Sequence, residues 1–487
     1  MFNQRQHWYD AMMFSRHRCA FRSVFLLTVG LTLGYSAPSS TYAVPDTRPQ
    51  LVHTEQSYVV LVSIDGFAAY HLENERLELP NIRALVKQGV WAESGETVFP
   101  SVTHPSHATI ITGVSPRRHG VINNIMRNRE TGESGHVSEQ SHEVLEVPTL
   151  FDAAKRKGLT TAAMFWPETR GDPSVDFNII HEHQPPRYDD RGELESFIAR
   201  PELLAELRAG DVPIDLYFQW YGELERLGAR EIILAEATSH LIRTHRPQLV
   251  ATLISLTDSF QHTYGPAHYL AEAALSKADY CVGLLRQAVR DAGIEDKTTF
   301  VITADHGFHS VTYQVNLHPL LSRSELEGKV TLHADAWTTY IELTDAFQED
   351  RDKPRLETLL RLALRLPGIS RIVRPEEFHA LGTRSYHEDP RVPGQYMIVA
   401  DIDTFLVSEP SSSSTVRQRR EKPAHAHGYL PDHPRMYPAF VISGHKVRRG
   451  ERIGHIRNLD IAPTIAHLLG LEMNNVEGRV LTEALSE

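Results

Sequence analysis

A chain of 487 residues, 41% hydrophobic and 23% charged, is long enough to bury a large core and too apolar to be disordered as a whole. Its net charge of −12 and the lack of any basic stripe argue against a nucleic-acid polymer as an obligate partner. That balance still admits small phosphoesters bound through metals, and 27 histidines, several close to aspartates, point that way.

The first 43 residues read as an export signal. Arg5, Arg16, Arg18 and Arg22 form a positive leader, Val24 to Leu33 a short apolar core, and Thr41-Tyr42-Ala43 a cleavage point. The expected product is periplasmic or secreted, with no stable membrane span, because no later apolar run is long enough to cross a bilayer. That segment carries four arginines and one aspartate, so its removal moves the net charge to −15. Cys281 would then be the one cysteine left. No intrachain disulfide can form, and Cys281 reads as a small buried apolar residue. Nothing in the sequence fixes an oligomeric state.

After the signal, Tyr58 to Ile64 is a continuous β-branched run, the pattern of a strand buried on both faces, and it ends at Asp65-Gly66. Asn81 to Gln88 and Val147 to Lys157 read as helices closed by Gly89 and Gly158. Between them, Phe99 to Gly120 holds a hydroxyl, Thr103, two residues ahead of Pro105. An apolar run, Ala108 to Thr112, follows and stops at Gly113. This spacing predicts a helix with Thr103 at its N-terminus, where free backbone N–H groups attract an anion such as phosphate. Thr160 to Trp166 is a second strand, and residues 185–246 are mostly helical, most regularly from Ala229 to Thr244. Leu249 to Leu256 is a third strand running into Asp258, Leu270 to Ala292 a long helix, and Thr298 to Thr303 a fourth strand running into Asp305-His306.

The pattern then changes. Val330 to Leu343 and Gln395 to Val407 read as strands, Arg355 to Leu366 as an amphipathic helix, and Ser408 to Pro423 as an exposed loop. A strand, Ala439 to Ser443, and a helix, Asp460 to Leu469, close the chain. The expectation is an α/β fold with a mostly parallel sheet covered by helices on both faces. Residues 44–313 and 425–487 would form a catalytic domain, and 314–424 a smaller inserted α/β cap.

Three strands that each lead into an aspartate, Asp65, Asp258 and Asp305, converge at the carboxyl edge of such a sheet, where ligands bind. Three carboxylates together need cations. Asp258 and His262 share a helical face at a spacing of four and, with His427, would hold one metal. Asp65, Asp305 and His306 would hold a second. Nitrogen and oxygen ligands of this kind suit zinc, with manganese or iron as alternatives, and two such metals would activate Thr103 as a nucleophile. His107 reads as structural, His119 as marking a turn, and His425 and His433 as exposed loop residues.

Asp65-Gly66-Phe67, Thr103-His-Pro-Ser-His107, Asp258-x-x-x-His262-x-x-Gly265-Pro266, Asp305-His306-Gly307 and His427-Gly428-Tyr429 resemble, in order, the motifs of the nucleotide pyrophosphatase/phosphodiesterase family of the alkaline phosphatase superfamily. The resemblance covers roughly residues 55–487. It implies an alkaline-phosphatase-like fold and two zinc ions, one on Asp258, His262 and His427, the other on Asp65, Thr103, Asp305 and His306. It also implies Thr103 as nucleophile and a small phosphodiester or nucleotide as substrate. Where the family usually has Thr-Phe-Pro-Asn-His, this chain has His104 in the place of an aromatic that lines the substrate pocket. Ser106 stands where the family has an asparagine that donates to phosphate. A phosphomonoesterase or phosphonate hydrolase with the same core, and a catalytically silent binding protein on the scaffold, are the competing readings.

Overall fold

The computed structural model describes residues 56–182, 197–198, 200–219, 227–409 and 416–486. The signal reading of residues 1–43 lies outside these, as do residues 185–196, 199 and 220–226 of the segment expected to be helical.

Strand β1 (Tyr58–Ile64) is buried at all seven positions, and its side chains alternate between two cores. Val60, Val62 and Ile64 pack on one face of the sheet with Leu253 and Ile302, whereas Val59 and Leu61 pack on the other with Ile110 and Ile465. This two-sided burial explains why the run is continuously apolar rather than alternating.

The other strands of the central sheet are β2 (Val90–Glu96), β3 (Thr161–Met164), β4 (Phe177–Ile179), β5 (Leu249–Ile254), β6 (Thr298–Thr303), β7 (Phe440–Gly444) and β8 (Glu451–Arg457). They lie in the order β8-β2-β7-β6-β1-β5-β3-β4. Every neighbouring pair is parallel except the two made by β7. Register places Ile64 beside Ile254 and Ser63 beside Thr303, so β1, β5 and β6 end at one level. Asp65 and Asp305 therefore leave the sheet side by side.

Two helices carry site residues: α1 (Thr103–Thr112) and α2 (Leu256–Tyr264). The third strand stops two residues earlier than its apolar run, because Leu256 already begins α2. Helices at Pro201–Ala209, Ile214–Gln219 and Leu227–His245 occupy the described part of the segment expected to be helical. Cys281 is buried in the helix Tyr269–Asp291.

Beyond β6 the reading is corrected in three places. Val330 to Leu343 is a hairpin, Val330–Asp335 and Thr338–Leu343, that reverses at Ala336-Trp337, with Ala336 at φ +35°. Gln395 to Val407 is two strands in two different sheets: Tyr396–Ala400 pairs with the hairpin, and Thr404–Val407 with His309–Asn316. The end of the expected loop, Arg417 to Pro423, instead belongs to a strand, Arg417–Ala426, on the other side of His309–Asn316. Its Arg417 lies over the Tyr313 ring, so a charged sequence still covers an apolar surface. The helix Glu349–Leu364 starts six residues earlier than expected and contains Pro354 in its second turn.

Candidate active site

Thr103 is the first residue of α1. The cap position belongs to Val102, in extended conformation, and Val102 offers no capping side chain. The expectation that Thr103 stands at the helix N-terminus holds, and its hydroxyl is not consumed as a cap. Of the first-turn donors, His104 N–H is taken by Asn124 Oδ1 at 2.9 Å and Ser106 N–H by Val102 O at 3.2 Å, while Pro105 has none. Thr103 N–H and Oγ1 keep no partner among the described residues. Gly113, at φ +69°, ends the helix in the left-handed conformation, with its N–H on Thr109 O.

Asp258 and His262 project from α2, and His427 follows the strand Arg417–Ala426. His262 Nε2 and His427 Nε2 lie 3.2 Å apart, at 3.3 and 3.4 Å from the same oxygen, Asp258 Oδ1. Each imidazole is oriented through its other nitrogen. His262 Nδ1 donates to His425 O at 2.8 Å, and His427 Nδ1 donates to Ser101 O at 3.0 Å. A carbonyl only accepts, so Nδ1 carries the proton and, in the neutral ring, Nε2 offers a lone pair.

The second group repeats the device. His306 Nδ1 donates to Gly307 O at 3.1 Å, and its Nε2 faces Asp305 Oδ2 at 3.0 Å and Asp65 Oδ1 at 3.6 Å. Asp305 Oδ1 is held by the N–H groups of Gly66 and His306, which leaves Oδ2 toward the site. The His306 and His427 rings stack with centroids 3.5 Å apart, joining the two groups.

Four buried atoms here, Asp65 Oδ1, Asp258 Oδ1, Asp305 Oδ2 and His306 Nε2, have no hydrogen-bond partner among the described residues. Lone pairs that converge without protons repel, and burying them unpaired is costly. The titration shifts express the same need for positive charge. Burial, with Asp305 and Asp258 adding to it, pushes the Asp65 carboxyl well up. Burial opposes ionisation of Asp258 too, yet His262 and His427 hold its carboxyl well below the usual range. Burial and the neighbouring His306 push His427 down to about 4. Two donor sets, Asp258/His262/His427 and Asp65/Asp258/His306, have ligand atoms close enough to share an ion. The residues fit divalent cations.

The two pocket residues read from the sequence are placed differently. Ser106 is fully buried, with Oγ 2.9 Å from Thr97 Oγ1. Thr97 uses its own hydrogen on Asp305 O, so Ser106 donates to Thr97 and has no hydrogen left for a phosphate oxygen. His104 is also buried, its Nδ1 against Glu168 Oε1 and its ring edge-on to His136 and His181. His107 is structural: it donates from Nδ1 to Thr103 O and accepts Ser63 Oγ at Nε2, both at 2.8 Å. His425 lies in a strand, not a loop, and its carbonyl orients His262. His119 is buried and accepts Val121 N–H beside Gly120.

Sequence reasoning missed Asn124. Its Oδ1 is fixed on the His104 N–H in the first turn of α1, so its Nδ2 hydrogens are not spent there. An Asn-Asn pair in a loop carries no periodic signal, and only the fold brings it back to Thr103.

The protein-family model for type I phosphodiesterase/nucleotide pyrophosphatase matches residues 59–430. The chain belongs to this family. It is a hydrolase of phosphoric ester or anhydride bonds, on the fold of the alkaline phosphatase superfamily. The human relative named bis(5'-adenosyl)-triphosphatase ENPP4 is 24% identical over 463 residues, which cover 92% of this chain and 83% of that protein. A venom phosphodiesterase of Crotalus durissus collilineatus is 26% identical over 53% of this chain and 27% of its own length. The solved structure of murine ENPP5 matches with a TM-score of 0.64 at 19% identity, over 88% of this chain and all of that one. An inactive form of that protein, in complex with AMP, matches at the same TM-score over 89% of this chain. The expected family and α/β fold are borne out. No described helix is long and apolar enough to cross a membrane.

Proposed function

We propose that the chain is an exported phosphodiesterase or nucleotide pyrophosphatase that cleaves small phosphodiesters through a phospho-threonine at Thr103. In this reading Asp258, His262 and His427 hold one divalent cation, and Asp65, Asp305, His306 and Thr103 a second, zinc being the ion best suited to such ligands. When bound, the pair would favour ionisation of the Thr103 hydroxyl and offset charge on the phosphoryl oxygens.

The chain's own residues do the rest. The free Thr103 N–H and the α1 dipole draw the phosphoryl group to the helix N-terminus. The Asn124 amide, anchored through Oδ1, donates from Nδ2 to a non-bridging oxygen. Thr103 Oγ attacks phosphorus as the bond to the leaving alcohol or phosphate breaks. A water then cleaves the Thr103–phosphorus bond, releasing the phosphomonoester and restoring the hydroxyl. His107, donating to Thr103 O, keeps the first turn of α1 in place. Residues 314–424 would act as a cap over this site, and residues 1–43 as the signal that exports it.

The observation that carries the reading is the convergence of buried carboxylate and imidazole atoms that no described residue satisfies, in two sets able to hold an ion. Zinc-loaded protein would be assayed on bis-p-nitrophenyl phosphate, p-nitrophenyl thymidine monophosphate, p-nitrophenyl phosphate and a phosphonoacetate. Diester turnover should dominate and vanish in Thr103→Ala. Monoester or phosphonate turnover well above diester turnover would overturn the diesterase assignment.

A further inference from the structure

The hairpin Val330–Asp335/Thr338–Leu343 reaches the site with its tip. On one side, Asn123 Nδ2 donates to Asp335 Oδ2 at 2.8 Å, and Asn123 directly precedes Asn124 at the α1 N-terminus. On the other, the Trp337 ring lies nearly parallel to His427, with centroids 6.4 Å apart. Gly428 is required there, because a Cβ would stand 2.3 Å from the Trp337 ring. The tip therefore reaches from the asparagine pair at the α1 N-terminus to His427. It is held rigidly: Leu406 N–H donates to Ala336 O and Ala400 N–H to Trp337 O.

Asp335 brings a carboxylate to this tip, and among the described residues no lysine, arginine or histidine pairs with it. Its hydrogen-bond partner is the neutral Asn123 amide on Oδ2, and no described residue donates to Oδ1. A fixed carboxylate beside a phosphate pocket repels a second negative charge there. We propose that Asp335 is a specificity-determining residue that disfavours doubly charged phosphoryl groups and so selects diesters, with one charge on phosphorus, over monoesters. The inference rests on the hydrolase reading above.

Binding separates the two. Zinc-loaded wild type, Asp335→Asn and Asn123→Ala would be titrated with inorganic phosphate and with dimethyl phosphate, the first mostly doubly and the second singly charged at pH 8. Asp335→Asn keeps the shape and removes the charge, so it should bind phosphate about tenfold more tightly, the scale of a doubly charged anion several ångströms from a carboxylate with water-like screening. Dimethyl phosphate, with half the charge, should gain only about threefold. Asn123→Ala, which frees the tether but keeps the charge, should show no such gain for phosphate. Asp335→Asn should also raise kcat/KM for p-nitrophenyl phosphate against bis-p-nitrophenyl phosphate. An unchanged phosphate/dimethyl phosphate ratio in Asp335→Asn, or an equal gain in Asn123→Ala, overturns the charge filter. Normal binding in a wild type that turns over neither ester would instead overturn the hydrolase reading.

Discussion

At the scale of single residues, the site divides into groups that face the substrate and groups that hold them. Asn124 and Ser106 test that division, since both lie beside the α1 N-terminus. Asn124→Ala removes a donor aimed at a phosphoryl oxygen and should lower kcat by about 10²–10³ in assays on bis-p-nitrophenyl phosphate. Ser106→Ala removes a buried hydroxyl that serves only Thr97, so it should leave kcat within a fewfold. It should cost about 1 kcal/mol of stability in denaturant unfolding. Equal kinetic losses in the two variants would mean that Ser106 reaches the substrate. The candidate ligand set was legible because aspartates and histidines at strand ends leave few other uses for themselves. It misled at Ser106, since a motif position states which residue is present and not which way α1 turns it.

Among the elements, long apolar strands were legible and charged or broken ones were not. β1 and β6 are buried on both faces and announce themselves by composition. Arg417–Ala426 reads as a loop because its side chains are charged, and the partner that makes it a strand, His309–Asn316, lies about a hundred residues away. The hairpin at Ala336-Trp337 reverses without glycine, proline or asparagine at its tip, so no turn signal marks it. That tip and the loop after His427 are fitted to each other. Gly428, at φ +103°, admits no side chain without strain and leaves Trp337 its place. Gly428→Ala should shift His427 and lower zinc retained after dialysis, measured by metal analysis. Trp337→Ala in the same chain should recover part of it by removing the clash. Full zinc occupancy in Gly428→Ala would show that the loop yields without moving its ligand.

For the whole molecule, stability is tied to pH through histidines outside the proposed metal ligands. His119 is fully buried; it accepts Val121 N–H at Nδ1 and donates from Nε2 to Thr109 Oγ1 at 3.0 Å, so neither nitrogen has room for another proton. His71 accepts Ala68 N–H in the same way. Burial, with a nearby arginine in each case, pushes both down to about 3. The unfolded chain takes up these protons near pH 6.5 and the folded chain only near pH 3. Stability is therefore intact above about pH 6.5 and falls as pH drops below it, by about 1.4 kcal/mol per pH unit for each histidine. Loss of metal at low pH destabilises every variant alike, so the informative quantity is a difference between chains. His119→Gln should be less stable than wild type at pH 7.5, where the native bonds are lost without compensation. Its stability should then fall less steeply between pH 6.5 and 4.5, by about one proton's slope, in urea unfolding at each pH. Parallel curves for the two chains would mean that His119 is already protonated in the folded state.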